Sequence, residues 1–485
     1  MGDIQQKMNL GIAWMVVARL MDRSIGIVST LILARLLVPG DFGLVAMATA
    51  IAGALDLLGA FSFDLALIQN RNAEKRHYNT VWTFNVLFGF CCGALLILLA
   101  APAADFYRES RLPPVMYVLA ASVVIAGFTN VGVVNFRKDL HFRSEFNFLF
   151  LKRLTTFVVT VGAAFTFKSY WALLIGMVVG RIAQVLISYR VNDYRPAFTL
   201  SAARELFHFS KWLLVNNALV FLLHDGCTFI VGRMFGATAL GTYSIAYEIS
   251  NLPSTELVAP INRVTFPGFS RLAEPADIAV SYLKLLGMIM LLIVPAGIGI
   301  AAVAEPLVLA ALGGKWTDAI PLIQILALHG AITATQTNNG PVWMALGHTR
   351  HLTVSILIFL SVLLPALYFL LGTHGLAGAG YAYLLAHVPA VPYAMQVTKR
   401  LLGFRWQDLA AVIWRPLVAT AVMYFTVIGV SDAIGSMAPL PRLMLDVLCG
   451  IVVYALAIAV LWILSGRAAG AESFFVHQVR ALLKR

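Results

Sequence analysis

LARLLVPGDFGLVAMA, residues 33–48, returns in altered form as VGRMFGATALGTYSIA at residues 231–246. Under a shift of 198 positions Arg35 falls on Arg233, Gly43 on Gly241 and Ala48 on Ala246. Each copy joins one long apolar stretch to the next. A hydrophobic chain built from two related halves is the usual signature of a transporter, with substrate handled between the halves near the bilayer midplane.

Composition points the same way. Of 485 residues, 60% are hydrophobic and 12% charged, and the mean hydropathy is +0.84; a soluble domain carries about 25% charged residues. A helix crossing the hydrocarbon core needs roughly 20 apolar residues. On that measure the chain reads as an all-α polytopic membrane protein with about 14 transmembrane helices, at 10–37, 43–66, 78–101, 114–136, 146–167, 170–190, 206–233, 240–262, 281–303, 319–346, 351–371, 376–398, 411–431 and 443–465. Two pseudo-symmetric six-helix lobes, 1–190 and 206–400, are expected around a cytoplasmic linker at 191–205, where Pro196 interrupts any helix. Two additional helices (401–466) and a basic amphipathic tail (467–485) follow.

The formal charge of +12 does not imply nucleic acid, because the bases alternate with topology. Arg71, Lys75 and Arg76; Arg137, Lys138 and Arg143; Arg190, Arg195 and Arg204; Arg263 and Arg271; and Lys399, Arg400 and Arg405 fall on one side, with Arg467, Arg480, Lys484 and Arg485 in the tail. The opposite loops hold Arg35, Arg108, Arg111, Lys168, Arg233, Lys315 and Arg442. Cytoplasmic loops carry the excess of Lys and Arg, so both termini are expected in the cytoplasm. The first apolar run is interrupted by Arg19, Asp22 and Arg23, unlike a cleavable signal peptide. Cys91, Cys92, Cys227 and Cys449 all lie in apolar runs without CxxC or His/Cys spacing, so neither a disulfide framework nor a metal site is expected.

Ionisable groups within the spans mark candidate sites, because each is unfavourable in hydrocarbon by roughly 2.5–3.5 kcal/mol unless it meets water or a partner. The first half carries Arg19, Arg23, Lys152, Arg153 and Arg181 against Asp22, Asp56 and Asp64. The second carries Lys211 and Arg415 against Asp225, Glu248 and Glu256, with neutral Asn216, Asn217, Asn338 and Asn339. Arg19, Asp22 and Arg23 share one helical face at i, i+3 and i+4. Arg23 and Arg181 lie about 15–20 Å from either end of their spans at 1.5 Å per residue, too deep to snorkel. A cationic surplus in the first half alone suits a phosphate or pyrophosphate, which Arg meets with forked donors. Asp22, Asp56, Asp64, Asp225 and Glu248 are candidate proton or sodium sites. No Walker A, dinucleotide or other cofactor motif accompanies them, and no catalytic constellation is present. No cofactor and no enzymatic activity are expected.

ARLLVPGDFGLVAMATAI (34–51), GAFSFDLALIQ (59–69) and FHFSKWLLVNNALVFL (207–222) resemble the polysaccharide-transporter branch, the Wzx-type flippases, of the multidrug/oligosaccharidyl-lipid/polysaccharide (MOP) exporter superfamily. The mark of that branch here is Arg35, Pro39 and then Asp41-Phe42-Gly43. The resemblance implies two six-helix lobes around a central cavity and two further helices. It implies an undecaprenyl-pyrophosphate-linked oligosaccharide repeat unit as substrate, turned from the inner to the outer leaflet of a bacterial plasma membrane for exopolysaccharide, capsule or O-antigen (lipopolysaccharide) assembly. Membrane lipids, a polysaccharide polymerase and export machinery are the partners that follow.

Arg23, Arg181 and Lys211 are the positions matched, by depth and charge, to the head-group contacts such a cavity implies. Arg19, Lys152, Arg153 and the four asparagines stand as further cavity candidates. The alternative is a cation-coupled small-molecule exporter of the same superfamily, which calls for acids to dominate the cavity; they do so only in the second half. A membrane glycosyltransferase or polymerase calls for a large polar loop with paired carboxylates, and no loop here exceeds roughly 20 residues.

The charge pattern makes a direct prediction. A reporter fused after Arg485 should be active in the cytoplasm, and one inserted at Arg108–Arg111 in the periplasm. A periplasmic C-terminus would mean that the number of spans is odd.

Overall fold

The computed structural model describes residues 2–57, 67–68, 73–139, 141–258, 265, 268–272, 274–435 and 437–466, with side chains at all of these except 2–13, 16, 204–217 and 257. Asp64 and the amphipathic tail at 467–485 therefore lie outside the described residues, as do the side chains of Lys211, Asn216 and Asn217. The protein is all-α, as expected: in hydrocarbon each backbone N–H and C=O must be satisfied within the segment, and a helix does this.

The main helices, in chain order, are α1 (Gly2–Leu36), α2 (Pro39–Asp56), α3 (Lys75–Tyr107), α4 (Leu112–Gly127), α5 (Phe142–Phe167), α6 (Trp171–Val191), α7 (Ala203–Ser250), α8 (Pro275–Ala302), α9 (Ala319–Gln336), α10 (Asn339–Ala345), α11 (Arg350–His374), α12 (Ala377–Leu402), α13 (Trp406–Ala433) and α14 (Pro439–Leu464). Among the described residues nine helices are long and apolar enough to span a membrane, or ten when the bent pair Leu112–Gly127 and Val131–Lys138 counts as one. The chain forms two compact units, Met1–Gly241 and Thr242–Arg485.

The expected spans depart from simple separate rods at three places. Spans seven and eight, read as separated by a loop, are two helical segments of α7 that meet directly at a kink at Gly236 (φ 77°, ψ −173°). This backbone region is essentially restricted to glycine. Span four bends by 69° after Gly127, and span ten breaks at Thr337–Asn338 between α9 and α10.

The breaks repeat. Val38, the extended N-cap of α2, and Gly236 are 198 positions apart. Asn130 and Asn338, each fully buried, sit in the two fourth-helix breaks, 208 positions apart. The segment between α8 and α9 (303–318) is longer than that between α3 and α4 (108–111), which accounts for the change of shift.

Pro39 and Asp41 explain the PGD motif. Proline occupies the first turn of α2, where its missing N–H leaves no gap, and the Asp41 carboxylate accepts from Val38 N–H at 3.2 Å. Inside the first unit the two copies of the motif meet. A Cβ on Gly43 would strike the carbonyl oxygen of Ala237, and one on Gly241 the carbonyl oxygen of Pro39. Pro39 and Ala237 are themselves 198 positions apart. Each glycine thus rests on the carbonyl four residues before the other, an isologous contact with local two-fold character. Only hydrogen at the α-carbon permits it.

The stretch 192–202 is fastened to α3. Asn79 Oδ1 accepts from Ala197 N–H (3.0 Å) and from the Tyr194 hydroxyl. Thr83 and Thr80 hydroxyls accept from Thr199 N–H (3.0 Å) and Ala202 N–H (3.3 Å). Asn130 donates to the Tyr194 carbonyl (2.7 Å) and Asn192 to that of Gly132 (2.9 Å). Burial, with Tyr78 and Tyr189 alongside, pushes the Tyr194 hydroxyl up to about 12. Residues 191–205 consequently pack within the first unit.

Glycine substitutions test the close approach. Gly43→Ala and Gly241→Ala should each abolish folded protein, because a backbone carbonyl cannot withdraw as a side chain can. Gly236→Ala meets no atom within 4 Å and should fold with a loss of about 1–3 kcal/mol from its dihedral strain. Gly162→Ala, in open space within α5, should match wild type in membrane level and in the thermal stability of the detergent-purified protein.

Candidate functional site

In the first unit Gly176 and Gly180 bring α6 onto α5: a Cβ at either would collide with the hydroxyl of Thr160 or Thr156. This packing carries Arg181, the residue after Gly180, into electrostatic reach of Lys152, one turn before Thr156. Asp22 of α1 and Arg153 act on Lys152 as well, and Arg181 acts on Asp56 of α2. Residues from four helices are thereby gathered into one constellation with a positive surplus.

Asp22 was expected to share its charge with Arg19 and Arg23 on its own face. Its carboxylate meets Arg153 Nε of α5 at 3.1 Å, while the same guanidinium lies against Gly26, where a side chain would obstruct it. Arg19 and Arg23 are half-buried and engaged with neighbours of their own. Arg181 is exposed and donates from Nη1 to Gln184 Oε1 at 3.3 Å, and Gln184 Nε2 in turn donates to the Thr129 hydroxyl at 3.4 Å.

Beside this row lies a cavity of about 330 Å³ lined in part by Lys152, Gln184, Thr129, Asn130, Arg137 and Glu145. Its size falls in the small-molecule range of roughly 300–1,000 Å³. Glu145, absent from the sequence candidates, is buried; Oε1 pairs with Arg137 Nε at 2.5 Å, and Oε2 has no partner among the described residues. Its only sequence signal is an acid next to the basic cluster Arg137–Arg143, and that reads as an ordinary cytoplasmic loop. The arrangement offers cationic donors, neutral amides and one carboxylate, and it lacks a nucleophile paired with a base. It is suited to binding.

The second unit is organised differently. Asn339, expected as a cavity group, is buried and committed to packing: it accepts from Tyr282 (2.8 Å) and Thr398 (3.0 Å) and donates to Gln336 (3.0 Å). Trp343 Nε1 closes this network on Thr398 at 3.0 Å. Asn338 is fully buried, and neither polar atom of its side chain has a partner among the described residues. Glu248 of α7 is half-buried in this unit, whereas Asp225, half-buried next to His224 earlier on the same helix, belongs to the first unit. Both asparagines lie in the second unit and the cationic constellation in the first. An apolar cavity of about 460 Å³ opens between α8, α13 and α14, with Leu291, Pro295, Met423, Val427 and Tyr454 in its wall. One end carries Asp446, bonded to Ser431 at 2.8 Å, and Ser431 bonds to Arg442 at 3.0 Å. Among the described residues no group of three or more His, Cys, Asp or Glu could hold a metal ion.

A family profile described as "Polysaccharide biosynthesis protein" matches residues 32–321. The chain is 24% identical over 422 residues to the lipopolysaccharide biosynthesis protein WzxC of Escherichia coli (strain K12), covering 85% of each. Among solved structures it is similar to the lipid II flippase MurJ in an inward closed conformation, with a TM-score of 0.74 at 12% identity over 93% of this chain and 99% of that one. It is also similar to an inward-facing multidrug resistance MATE transporter of the MOP superfamily, with a TM-score of 0.59 at 17% identity over 80% and 98%. At such identities the structural likeness is one of fold.

Asn339 and Arg181 should separate packing from binding. Asn339→Ala leaves two buried hydroxyls and one amide without their partner, a loss of about 1–3 kcal/mol for each unsatisfied group. The purified protein should melt measurably lower. Arg181→Ala removes an exposed side chain and should melt within about 0.5 kcal/mol of wild type, as surface substitutions do.

Proposed function

The chain belongs to the polysaccharide-transporter (Wzx-type flippase) family of the MOP superfamily, and on that basis we propose that it turns an undecaprenyl-pyrophosphate-linked oligosaccharide repeat unit from the inner to the outer leaflet of a bacterial plasma membrane. The pathway served is the assembly of exopolysaccharide, capsule or O-antigen. The observation that carries this reading is the constellation of Lys152, Arg153, Arg181 and Asp22 in the first unit. A pyrophosphate needs charge and forked donors, and guanidinium groups supply both. The neighbouring polar cavity supplies amide and carboxylate partners of the kind that bind sugar hydroxyls. The apolar cavity in the second unit is chemically compatible with a polyprenyl chain.

Transport proceeds in this reading by alternating access, the repeats rocking about a head group held in place. Arg181, exposed and held lightly by Gln184, closes on the phosphate. Arg153, tied to Asp22, is positioned by α1 and so senses where that helix stands. Asp22, Asp56, Asp225 and Glu248 are the acids available for proton or sodium coupling. In this reading both termini are cytoplasmic, and the repeat unit is released at the outer leaflet, where a polymerase and export machinery would take it up.

Deletion of the gene should cause complete lipid-linked repeat units to accumulate on the inner leaflet; normal polysaccharide in the deletion strain would refute the assignment. In the complemented strain, Arg181→Ala should lower export per molecule of membrane protein. Loss of one charge-assisted hydrogen bond is worth about 1.5–3 kcal/mol, or roughly ten- to a hundredfold in affinity. Arg181→Lys should restore part of it, since Lys keeps the charge but not the fork. Unchanged export per molecule in Arg181→Ala would remove that residue from the binding site.

A further inference from the structure

One face of α5 supplies a row of side chains to the polar cavity of the first unit. Glu145, Phe148, Leu149 and Lys152 all line it, and they stand at i, i+3, i+4 and i+7, the spacing of a single helical face. Seven positions separate Glu145 from Lys152, about 10 Å along the axis at 1.5 Å per residue. The Lys152 end adjoins Arg153 and Arg181. The Glu145 end meets Arg137.

Most polar groups in the wall already have partners within the fold. The Asn130 amide donates to the Tyr194 carbonyl at 2.7 Å and accepts from Gly132 N–H at 2.9 Å. The Thr129 hydroxyl donates to the Ala126 carbonyl at 2.7 Å and accepts from Gln184 at 3.4 Å. Arg137 is committed to Glu145 Oε1 at 2.5 Å. Glu145 Oε2 is different. The residue is 3% exposed, and this oxygen has no partner among the described residues. The wall is also well fixed at α3: a Cβ on Gly127 would come within 2.7 Å of the Asn85 carbonyl oxygen, and Asn85 itself lines the cavity.

A buried carboxylate oxygen without a donor is unfavourable, and a ligand that brings the donor relieves it. The choice of ligand group is narrow. An ionised carboxylate only accepts, so the group that it meets must carry an O–H or N–H. A second carboxylate there is repelled, and Arg137 does not offset it, because its guanidinium is already bound to the first. The Lys152 ammonium makes the opposite demand, since it only donates. The cavity therefore fits a molecule that is anionic at one end and a neutral hydrogen-bond donor at the other. A pyranose joined to pyrophosphate through its anomeric carbon has that polarity, with its C4 and C6 substituents farthest from the phosphate. In a uronic acid C6 is itself a carboxylate.

We infer that this cavity is the subsite for the sugar attached directly to the pyrophosphate, and that Glu145 restricts it to a neutral or N-acylated hexose in preference to a uronic acid. The inference rests on the transport reading above and adds to it the class of the first sugar. Discrimination of this kind combines an attractive contact for one ligand with a repulsive one for its competitor. Sites that hydrogen-bond a substrate hydroxyl reject the analogue lacking it more strongly than apolar pockets reject a size difference.

Calorimetric titration of the detergent-purified full chain tests it with three probes: farnesyl diphosphate, farnesyl-diphospho-glucose and farnesyl-diphospho-glucuronic acid. The wild type should bind the glucose probe more tightly than farnesyl diphosphate. It should also prefer the glucose probe to the glucuronic acid probe by roughly tenfold or more, the worth of one hydrogen bond to a charged group. Glu145→Gln keeps an oxygen for Arg137 and turns an amide N–H₂ toward the ligand, which a carboxylate accepts as readily as a hydroxyl does. It should bring the two sugar probes to equal affinity, which a merely structural role for Glu145 would not do. A wild type that binds the glucuronic acid probe as tightly as the glucose probe, or the glucose probe no more tightly than farnesyl diphosphate, overturns the subsite even if the variant fails to fold. Discrimination retained by Glu145→Gln overturns the role of that residue. A wild type that binds no farnesyl diphosphate overturns the pyrophosphate reading and the subsite with it, so the two failures are told apart by the sugar-free probe.

Discussion

Gly43 and Gly241 set the closest backbone approach from which the rest of the first unit is arranged. Each occupies space that a methyl group would deny to the other segment's carbonyl, and the exchange is reciprocal across 198 positions of sequence. In lipid there is little hydrophobic force to press one helix on another, so association depends on how near two backbones can come. The same device recurs where Gly176 and Gly180 receive Thr160 and Thr156. The first contact holds the start of α2 against the later part of α7. The second sets the register of α5 and α6, and with it the distance between Lys152 and Arg181.

Polar side chains do the complementary task of serving the backbone where a helix stops. Asp41 takes the N–H of Val38, Asn130 spans the break after α4, and Asn79, Thr80 and Thr83 receive the extended strap at 192–202. These groups would be expensive in hydrocarbon if unpaired. Each is placed where irregular backbone leaves a donor or acceptor open, and the strap is rigid for that reason. An exposed linker of the same length would contribute nothing to the unit that it joins.

The two units treat buried polarity in opposite ways. The first gathers permanent charges, with Asp22 balancing only part of Lys152, Arg153 and Arg181. The second relies on neutral networks: the Tyr282–Asn339–Thr398–Trp343 cluster and the buried His329–His387 pair beside Tyr383. A fixed positive charge attracts an anion at any pH.

The helical class, the motif shared by 33–48 and 231–246 and the charged positions were legible in the residues alone. Roughly 20 apolar residues in succession announce a span, and Gly43 with Gly241 announced the duplication. The partners of those charged positions were not legible. Asp22 sits on one face with Arg19 and Arg23 by helical spacing, yet it pairs with Arg153 from α5. Asn339 reads as a cavity group and is instead bonded within the core. His329 and His387 are 58 positions apart with no motif between them, and Glu145 reads as part of a basic loop. Which face of one helix meets which face of another depends on rotation and crossing angle. Those are decided by small-residue contacts between segments far apart in the chain, and only the assembled tertiary structure contains them.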